Sequence, residues 1–257
     1  MLELLDATTG YIDKFKGIRI STRPDCIDDE ILMLLKRYGV TSIELGAQSL
    51  CDDVLVANNR GHSAHDVFEA SKLIKSYGFS LGLQMMTGLY KSSDEKDIET
   101  ARRFIEIKPD TVRIYPTVVM KNTDLQRLYE CGVYLPADLD GAAELCAQLI
   151  TMFEDNFIRV IRVGLHHSDS LDENAVCGPY HPSFRELCES KIMYNKLYEM
   201  LSNHNIEGKC MVKVSKSCVS KMIGNKRSNL LKFKELGYDL TIIQDDSLVG
   251  REIVLSY

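Results

Sequence analysis

Residues 39–90 hold a short β-branched run, a polar loop, a helical pattern and a second apolar run, and that order restricts the fold more than any other stretch of the chain. Residues 40–45 are the β-branched run, ended by Gly46. Val67, Ala70, Ile74 and Tyr77 then recur at helical spacing until Gly78 stops the helix. Residues 79–86 read as the next strand. A strand, a crossover of this length and another strand make a parallel pair, because parallel strands need a long return connection. Parallel sheets are normally covered on both faces, so polar residues on one phase of such a strand need a reason. They recur here: Ser42, Glu44, Gly46 and Gln48 share one phase, and Ser80, Gly82, Gln84 and Met86 share one phase of the next strand. Satisfied core polars would account for some of them; their repetition favours strand ends that line a pocket.

The alternation extends along the chain. Residues 2–13 read as a helix and residues 17–21 as a strand, which leads through Arg23 into a helix capped by Asp25 or Asp28, with Ile31, Leu34, Leu35 and Tyr38 on its apolar face. Strands recur near 41, 79, 111 and 157, with helical patterns near 64–77, 94–107, 122–131 and 139–154. This is the signature of an α/β fold with a parallel sheet. A chain of 257 residues, 45% apolar, can bury a core of one large domain or of a large and a small one. It has no run of 18 apolar residues and no charged-then-apolar leader, so neither a membrane span nor a signal peptide is expected and the chain reads as cytoplasmic. Its eight cysteines, Cys26, Cys51, Cys131, Cys146, Cys177, Cys188, Cys210 and Cys218, include no CxxC pair and read as reduced thiols.

The segment Gly46-Ala47-Gln48-Ser49, the loop Asn59-Arg60-Gly61-His62-Ser63 and the Gly88-Leu89 that closes the next strand resemble the S-adenosylmethionine-binding middle of radical SAM enzymes. The match is nearest to the catalytic subunit of Elongator and its bacterial relatives, with oxygen-independent coproporphyrinogen oxidases further off, and it covers roughly residues 3–190. The resemblance implies a partial (β/α) barrel, open at one side, whose site lies at the C-terminal ends of the strands. By that rule Arg23, Glu44, Gln48 with Ser49 beside it, Gln84, Tyr115 and the loop from Asn59 to His62 belong to the cofactor site. Gln48 and Arg60 would contact S-adenosylmethionine, Arg60 offering paired planar donors to the methionine carboxylate. Gln84 stands where relatives place another polar contact, whereas Gly88-Leu89-Tyr90-Lys91 replaces the family's frequent GLPG. The bland reading of Arg60 is a surface ion pair with Asp52 or Asp53. Glu44 and Arg113 fall on inward phases, so Glu44 is expected to meet Arg113 or Arg23 inside the barrel.

The family's second cofactor is a 4Fe–4S cluster, held by three cysteines spaced CxxxCxxC after the first strand. This sequence has no such motif. Residues 2–13 match the helix before the family's third strand, so the first two strands and the cluster loop are expected to be missing, in a piece of a longer protein or a natural truncation. After Val163 a long loop precedes a helix over residues 183–201, as in bacterial Elongator-like proteins. His166 and His167 there are adjacent, point oppositely in extended chain and cannot chelate one metal. Residues 178–182 read as structural punctuation or as part of a substrate face.

The tail inverts the charge of a chain whose formal net charge is −6. Eight basic side chains, Lys226 and Arg227 among them, lie within residues 209–235 against one acid. Strand 211–215, helix 216–222, a turn at Gly224-Asn225-Lys226-Arg227, helix 228–236 and strand 239–244 resemble a KH module, whose turn clamps single-stranded RNA; the second glycine of that turn is Arg227 here. RNA contact would fall on Gly224, Lys226 and Arg227; a solvated lysine-rich helix pair is the bland alternative. The expected division is a partial radical SAM barrel at 1–165, a family-specific extension at 166–207 and a small basic KH-like α+β module at 208–257. The expected function is radical modification of a tRNA base. The alternative is a non-catalytic RNA-binding or scaffold protein that keeps the fold without a cluster. Strand edges left open could pair between chains and give a homo-oligomer.

Overall fold

In the computed structural model, residues 2–203 and 208–256 are described. The chain divides into two compact units, Met1–Ala142 with Met152–Tyr180, and Ala143–Thr151 with His181–Tyr257.

The first unit opens with α1 (Leu2–Thr8), which passes into a 3-10 segment at Thr9–Lys14, so the expected helix over 2–13 changes its winding halfway. β1 (Ile18–Thr22), α2 (Asp29–Arg37), β2 (Val40–Gln48), α3 (Asp52–Ala57), α4 (Ala64–Ser76), β3 (Ser80–Thr87), α5 (Asp94–Ile107) and β4 (Thr111–Pro116) follow. After them come β5 (Val119–Met120), α6 (Asp124–Glu130), α7 (Leu139–Asp155), whose stretch Ala143–Thr151 is counted with the second unit, β6 (Arg159–Val163), α8 (Asp169–Asn174) and β7 (Ala175–Cys177). Helix starts follow local chemistry. Asp28, not Asp25, caps α2 by accepting from Ile31 N, and Ser63 and Asp66 form a reciprocal capping box at α4.

The sheet runs β1-β2-β3-β4-β6, all parallel, and does not close. One phase carries Ile43, Leu45, Leu81, Leu83, Val112 and Ile114, all fully buried. Each such side chain contributes on the order of 1.5–3 kcal/mol through removal of apolar surface from water. The other phase is polar and partly open, as the alternation in 40–48 and 80–86 required. The sheet begins its last strand at Arg159, because Phe157 takes a positive φ of 60° and lies 99% exposed. The short antiparallel pair β5–β7 and the helices α3 and α8 were not legible in the sequence pattern.

In the second unit, α9 (Phe184–Asn203) precedes β8 (Gly208–Val214), a 3-10 turn at Lys216–Cys218, α10 (Val219–Ile223), α11 (Ser228–Glu235), β9 (Tyr238–Gln244) and β10 (Ile253–Ser256). The order is β10-β8-β9, with β8 and β9 parallel and β10 antiparallel to β8. Met193, Leu197, Val212, Met222 and Phe233 centre its core. The strand, helix, turn, helix, strand order is the one expected for the tail; β10 adds a strand to it. Between α10 and α11, Gly224 has φ 81°, and a Cβ there would meet Ser228 Oγ at 2.5 Å and Asn229 N at 2.8 Å. Buried Asn229 donates to Ser190 O at 3.0 Å and to Lys221 O at 3.2 Å, fixing the turn from beneath. Glu189, also buried, gathers Arg251 Nε at 2.7 Å, Lys221 Nζ at 3.5 Å and Arg185 Nε at 3.5 Å. Burial pushes its carboxyl up, and these cations outweigh that and hold it below its ordinary pKa.

Among the described residues, no helix is long and apolar enough to cross a membrane.

Candidate functional site

The C-terminal end of β2 is bent. The register with β3 shifts between Leu45 and Gln48, and Gln48 takes φ 65°, so its amide folds back over Gly46. Ser49 turns the other way: its Oγ lies 3.3 Å from Thr100 Oγ1 and accepts from Cys51 N at 3.1 Å. The structure therefore places Gln48 on the polar face and Ser49 in a buried hydrogen-bonded joint against α5.

The loop after α3 carries Arg60, Gly61 and His62. The ring of buried His62 lies with Nε2 3.1 Å from Ala47 O, while its Nδ1 has no partner. Arg60 is half-buried and its Nε is buried without a hydrogen-bond partner. The surface pairing with nearby acids does not form. Asp52 accepts from Ala64 N at 2.7 Å, and Asp53 pairs with Lys96 at 2.5 Å. Burial lowers the pKa of Arg60, and the neighbouring guanidinium of Arg23 lowers it further. Arg23, just beyond β1, pairs with Asp25, and its Nη2 stands 3.1 Å from where a Cβ on Gly61 would be. Two guanidiniums thus approach each other at the strand ends, with one carboxylate, held by Arg23, to balance them.

A polar chain crosses four strands on the open face. Gln84 Nε2 donates to Ser21 Oγ at 3.5 Å, and Ser21 Oγ donates to Glu44 Oε2 at 3.2 Å. Arg113 Nε lies 2.5 Å from Glu44 Oε1, and Arg113 Nη1 donates to Tyr115 OH at 3.3 Å. The predicted meeting of Glu44 with Arg113 is found, and Glu44 is only 1% exposed. Alignment in this pair is poor: Glu44 Oε1 and Arg113 Nε are close enough for an ion pair yet lack a hydrogen-bond partner. Gly82 makes the arrangement possible, since a Cβ there would come within 2.8 Å of Glu44 Cγ.

The loop after β3 is pinned from several sides. Asp97 accepts from Gly88 N at 2.8 Å and from Ser92 Oγ at 2.6 Å. Burial raises its pKa to about 6. Tyr134 donates to Gly88 O at 2.7 Å, and burial pushes its own pKa to about 12. Asn58 reaches across to Tyr90 O at 2.9 Å. Residues 88–94 and 133–137 enclose a cavity of about 500 Å³ beside this loop.

Of the residues predicted from sequence, Arg23 and Arg60 meet at the ends of β1 and β2, Glu44, Gln84 and Tyr115 share the polar chain, and Ser49 stands apart from both. Ser21, Asp97 and Tyr134 were missed. Ser21 had a signal, two residues before Arg23 on the same strand phase; Asp97 read as an ordinary acid in the first turn of a helix.

The implied cofactors fare differently. Arg60 with its orphaned Nε, beside Arg23, suits a carboxylate such as that of S-adenosylmethionine. An iron–sulfur cluster does not fit: among the described residues there is no group of three or more His, Cys, Asp or Glu side chains placed to hold a metal.

Comparison with known families agrees with this geometry. Residues 2–105 match the radical SAM superfamily and residues 109–194 match the Radical_SAM C-terminal domain. The chain belongs to the radical SAM superfamily, and its open parallel sheet is the partial barrel of that fold. Within it, the chain is 36% identical to Elongator complex protein 3 of Homo sapiens over 155 residues, 59% of this chain and 28% of that protein. It is 34% identical to tRNA uridine(34) acetyltransferase of Dehalococcoides mccartyi over 150 residues, 57% of this chain and 32% of that protein. Among solved structures, the archaeal Methanocaldococcus infernus Elp3 with N-terminus deletion (1-46) aligns with TM-score 0.61 and 28% identity, covering 74% of this chain and 42% of that one. The chain thus spans less than a third of the length of these two curated relatives.

Proposed function

We propose that this chain supplies the S-adenosylmethionine-binding sheet of an Elongator-like radical SAM enzyme that modifies a base of tRNA. Arg60 carries the reading: a half-buried guanidinium with an orphaned Nε at a strand end, beside a second arginine, has its donors ready for an external carboxylate. Gln48 and Gln84 line the same face and would orient the cofactor's polar groups. Bound S-adenosylmethionine would supply radical chemistry on reduction of its sulfonium by one electron from a donor that is not among the described residues. The chain's own residues bind and orient, and no part of this reading runs through an iron–sulfur cluster.

The relatives named for tRNA uridine and for Elongator support RNA as the substrate class. In this reading residues 1–165 form the barrel part, 166–207 a family-specific extension and 208–257 a KH-like module whose turn at Gly224, Lys226 and Arg227 meets RNA. The working compartment would be the cytoplasm, and the open edge of β1 would allow self-association.

Ligand-observed NMR with S-adenosylmethionine tests the cofactor site. Weak binding is expected for the chain by itself, and Arg60→Gln should abolish it while the fold, followed by circular dichroism, persists. Binding that is indifferent to Arg60→Gln would overturn the assignment. Absence of cofactor binding with RNA binding retained would favour a non-catalytic RNA-binding protein.

A further inference from the structure

Arg113 and Arg162 are direct partners across the parallel pair β4–β6, so their side chains leave the sheet on the same face. That face is the polar one, since Arg113 meets Glu44 there. Like charges side by side in a sheet repel and are retained at a cost unless an anion lies between them. One carboxylate is supplied, and it serves Arg113. The partners of Arg162 are neutral: its Nε donates to Gly164 O at 3.3 Å, and its Nη1 is in close contact with His166 Nε2, which can accept only when that nitrogen is unprotonated. Among the described residues, no carboxylate forms an ion pair with Arg162. Tyr115 adds a donor, because its oxygen already accepts from Arg113 and its own proton has no acceptor among the described residues.

Two guanidiniums and a phenol, half-buried on the open side of a sheet, are a donor set for a tetrahedral oxyanion. The two oxygens of a carboxylate lie in one plane with its carbon, whereas the free oxygens of a phosphate are set tetrahedrally about phosphorus, two of them in a diester of an RNA chain and three, with a charge nearer two, in a monophosphate. We infer that Arg162, Arg113 and Tyr115 form a station for the phosphate of a nucleotide substrate, separate from the Arg60 and Arg23 pair at the β1 and β2 ends. This inference rests on reading the open face as the site of an RNA-modifying enzyme, and it names the substrate group held there. The face then carries two anion stations, one for the cofactor's carboxylate and one for the substrate's phosphate.

Uridine 5′-monophosphate, uridine and inorganic phosphate are suitable probes, titrated into the full chain at low salt by calorimetry or NMR. The monophosphate should bind and uridine should bind at least about tenfold more weakly, since the charged contacts are lost. Inorganic phosphate should compete with the monophosphate. Arg162→Gln should weaken the monophosphate at least about tenfold, and Arg162→Lys should recover only part of it, because an ammonium cannot reproduce the guanidinium fork. Tyr115→Phe should weaken it less and leave the fold intact, which guards against a misfolded Arg162→Gln protein. Equal affinity of wild type and both Arg162 variants, or of uridine and its monophosphate, would overturn the station. Loss of monophosphate binding in Arg60→Gln with retention in Arg162→Gln would put the phosphate on the Arg60 and Arg23 pair and overturn the station. Monophosphate binding that survives when S-adenosylmethionine fails to bind would sink the cofactor reading and not this one.

Discussion

Asp97 shows how much a single residue can set. Its carboxylate holds the Gly88 amide and the Ser92 hydroxyl while Tyr134 holds the Gly88 carbonyl, so the two peptide groups that flank Gly88 at the rim of the site are both fixed. Burial at 1% exposure is the larger influence and lifts its pKa from 3.8 to about 6. The sign follows: a carboxyl whose folded pKa lies above its unfolded value favours folding when protonated. Its contribution is therefore best below the unfolded value and declines as pH rises towards about 6, then levels off. Asparagine can keep both contacts, its oxygen accepting from Gly88 and its amide donating to Ser92. Asp97→Asn should hence remove the decline. Urea unfolding at about pH 4.5 and about pH 7.5 should show the wild type losing about 2 kcal/mol more stability over that interval than the variant. Parallel pH dependences in the two proteins would mean that Asp97 is not buried as described.

Elements were legible where periodicity was long and the environment two-sided. β2 and β3 announced one apolar and one polar phase, and of the two partners that inward phases in a barrel offered Glu44, Arg113 and Arg23, the structure has Arg113. What escaped the sequence depends on exceptions to the period. The shift at the end of β2, which sends Ser49 to Thr100 and Gln48 back over Gly46, leaves no trace in residue type, and Asp97 looks like any first-turn acid until neighbours bury it. β5 and β7 are too short to show a period. The turn between α10 and α11 was visible because Gly224 and clustered bases mark it, and the structure adds positive φ at both Lys226 and Arg227. The RNA contact proposed for it follows from field and geometry. The bases of the tail stand out in an acidic chain, and α11 starts directly after Arg227 with its positive end toward the turn. Replacing Lys226 and Arg227 with Asp should weaken single-stranded RNA at least about tenfold and flatten the dependence of affinity on salt, as fewer counterions are released. An unchanged affinity and slope would place RNA elsewhere.

At the scale of the whole molecule, the eight thiols are the test of what this chain can do unaided. The first unit holds Cys26, Cys51, Cys131 and Cys177, the second Cys146, Cys188, Cys210 and Cys218. Only Cys26 and Cys131 are exposed, whereas all four in the second unit are buried. Burial holds the Cys210 thiol above its ordinary pKa, which disfavours the thiolate that an iron site needs. A cluster with one open iron requires three thiolates gathered within one small site. Among the described residues no such group of ligands exists in either unit. Reconstitution of this chain with iron and sulfide under anaerobic conditions should therefore leave it without stoichiometric iron and without sulfur-to-iron charge-transfer absorption. Iron at cluster stoichiometry that disappears on changing three particular cysteines to Ala would show that the fold can rearrange to gather them and that those three hold a cluster.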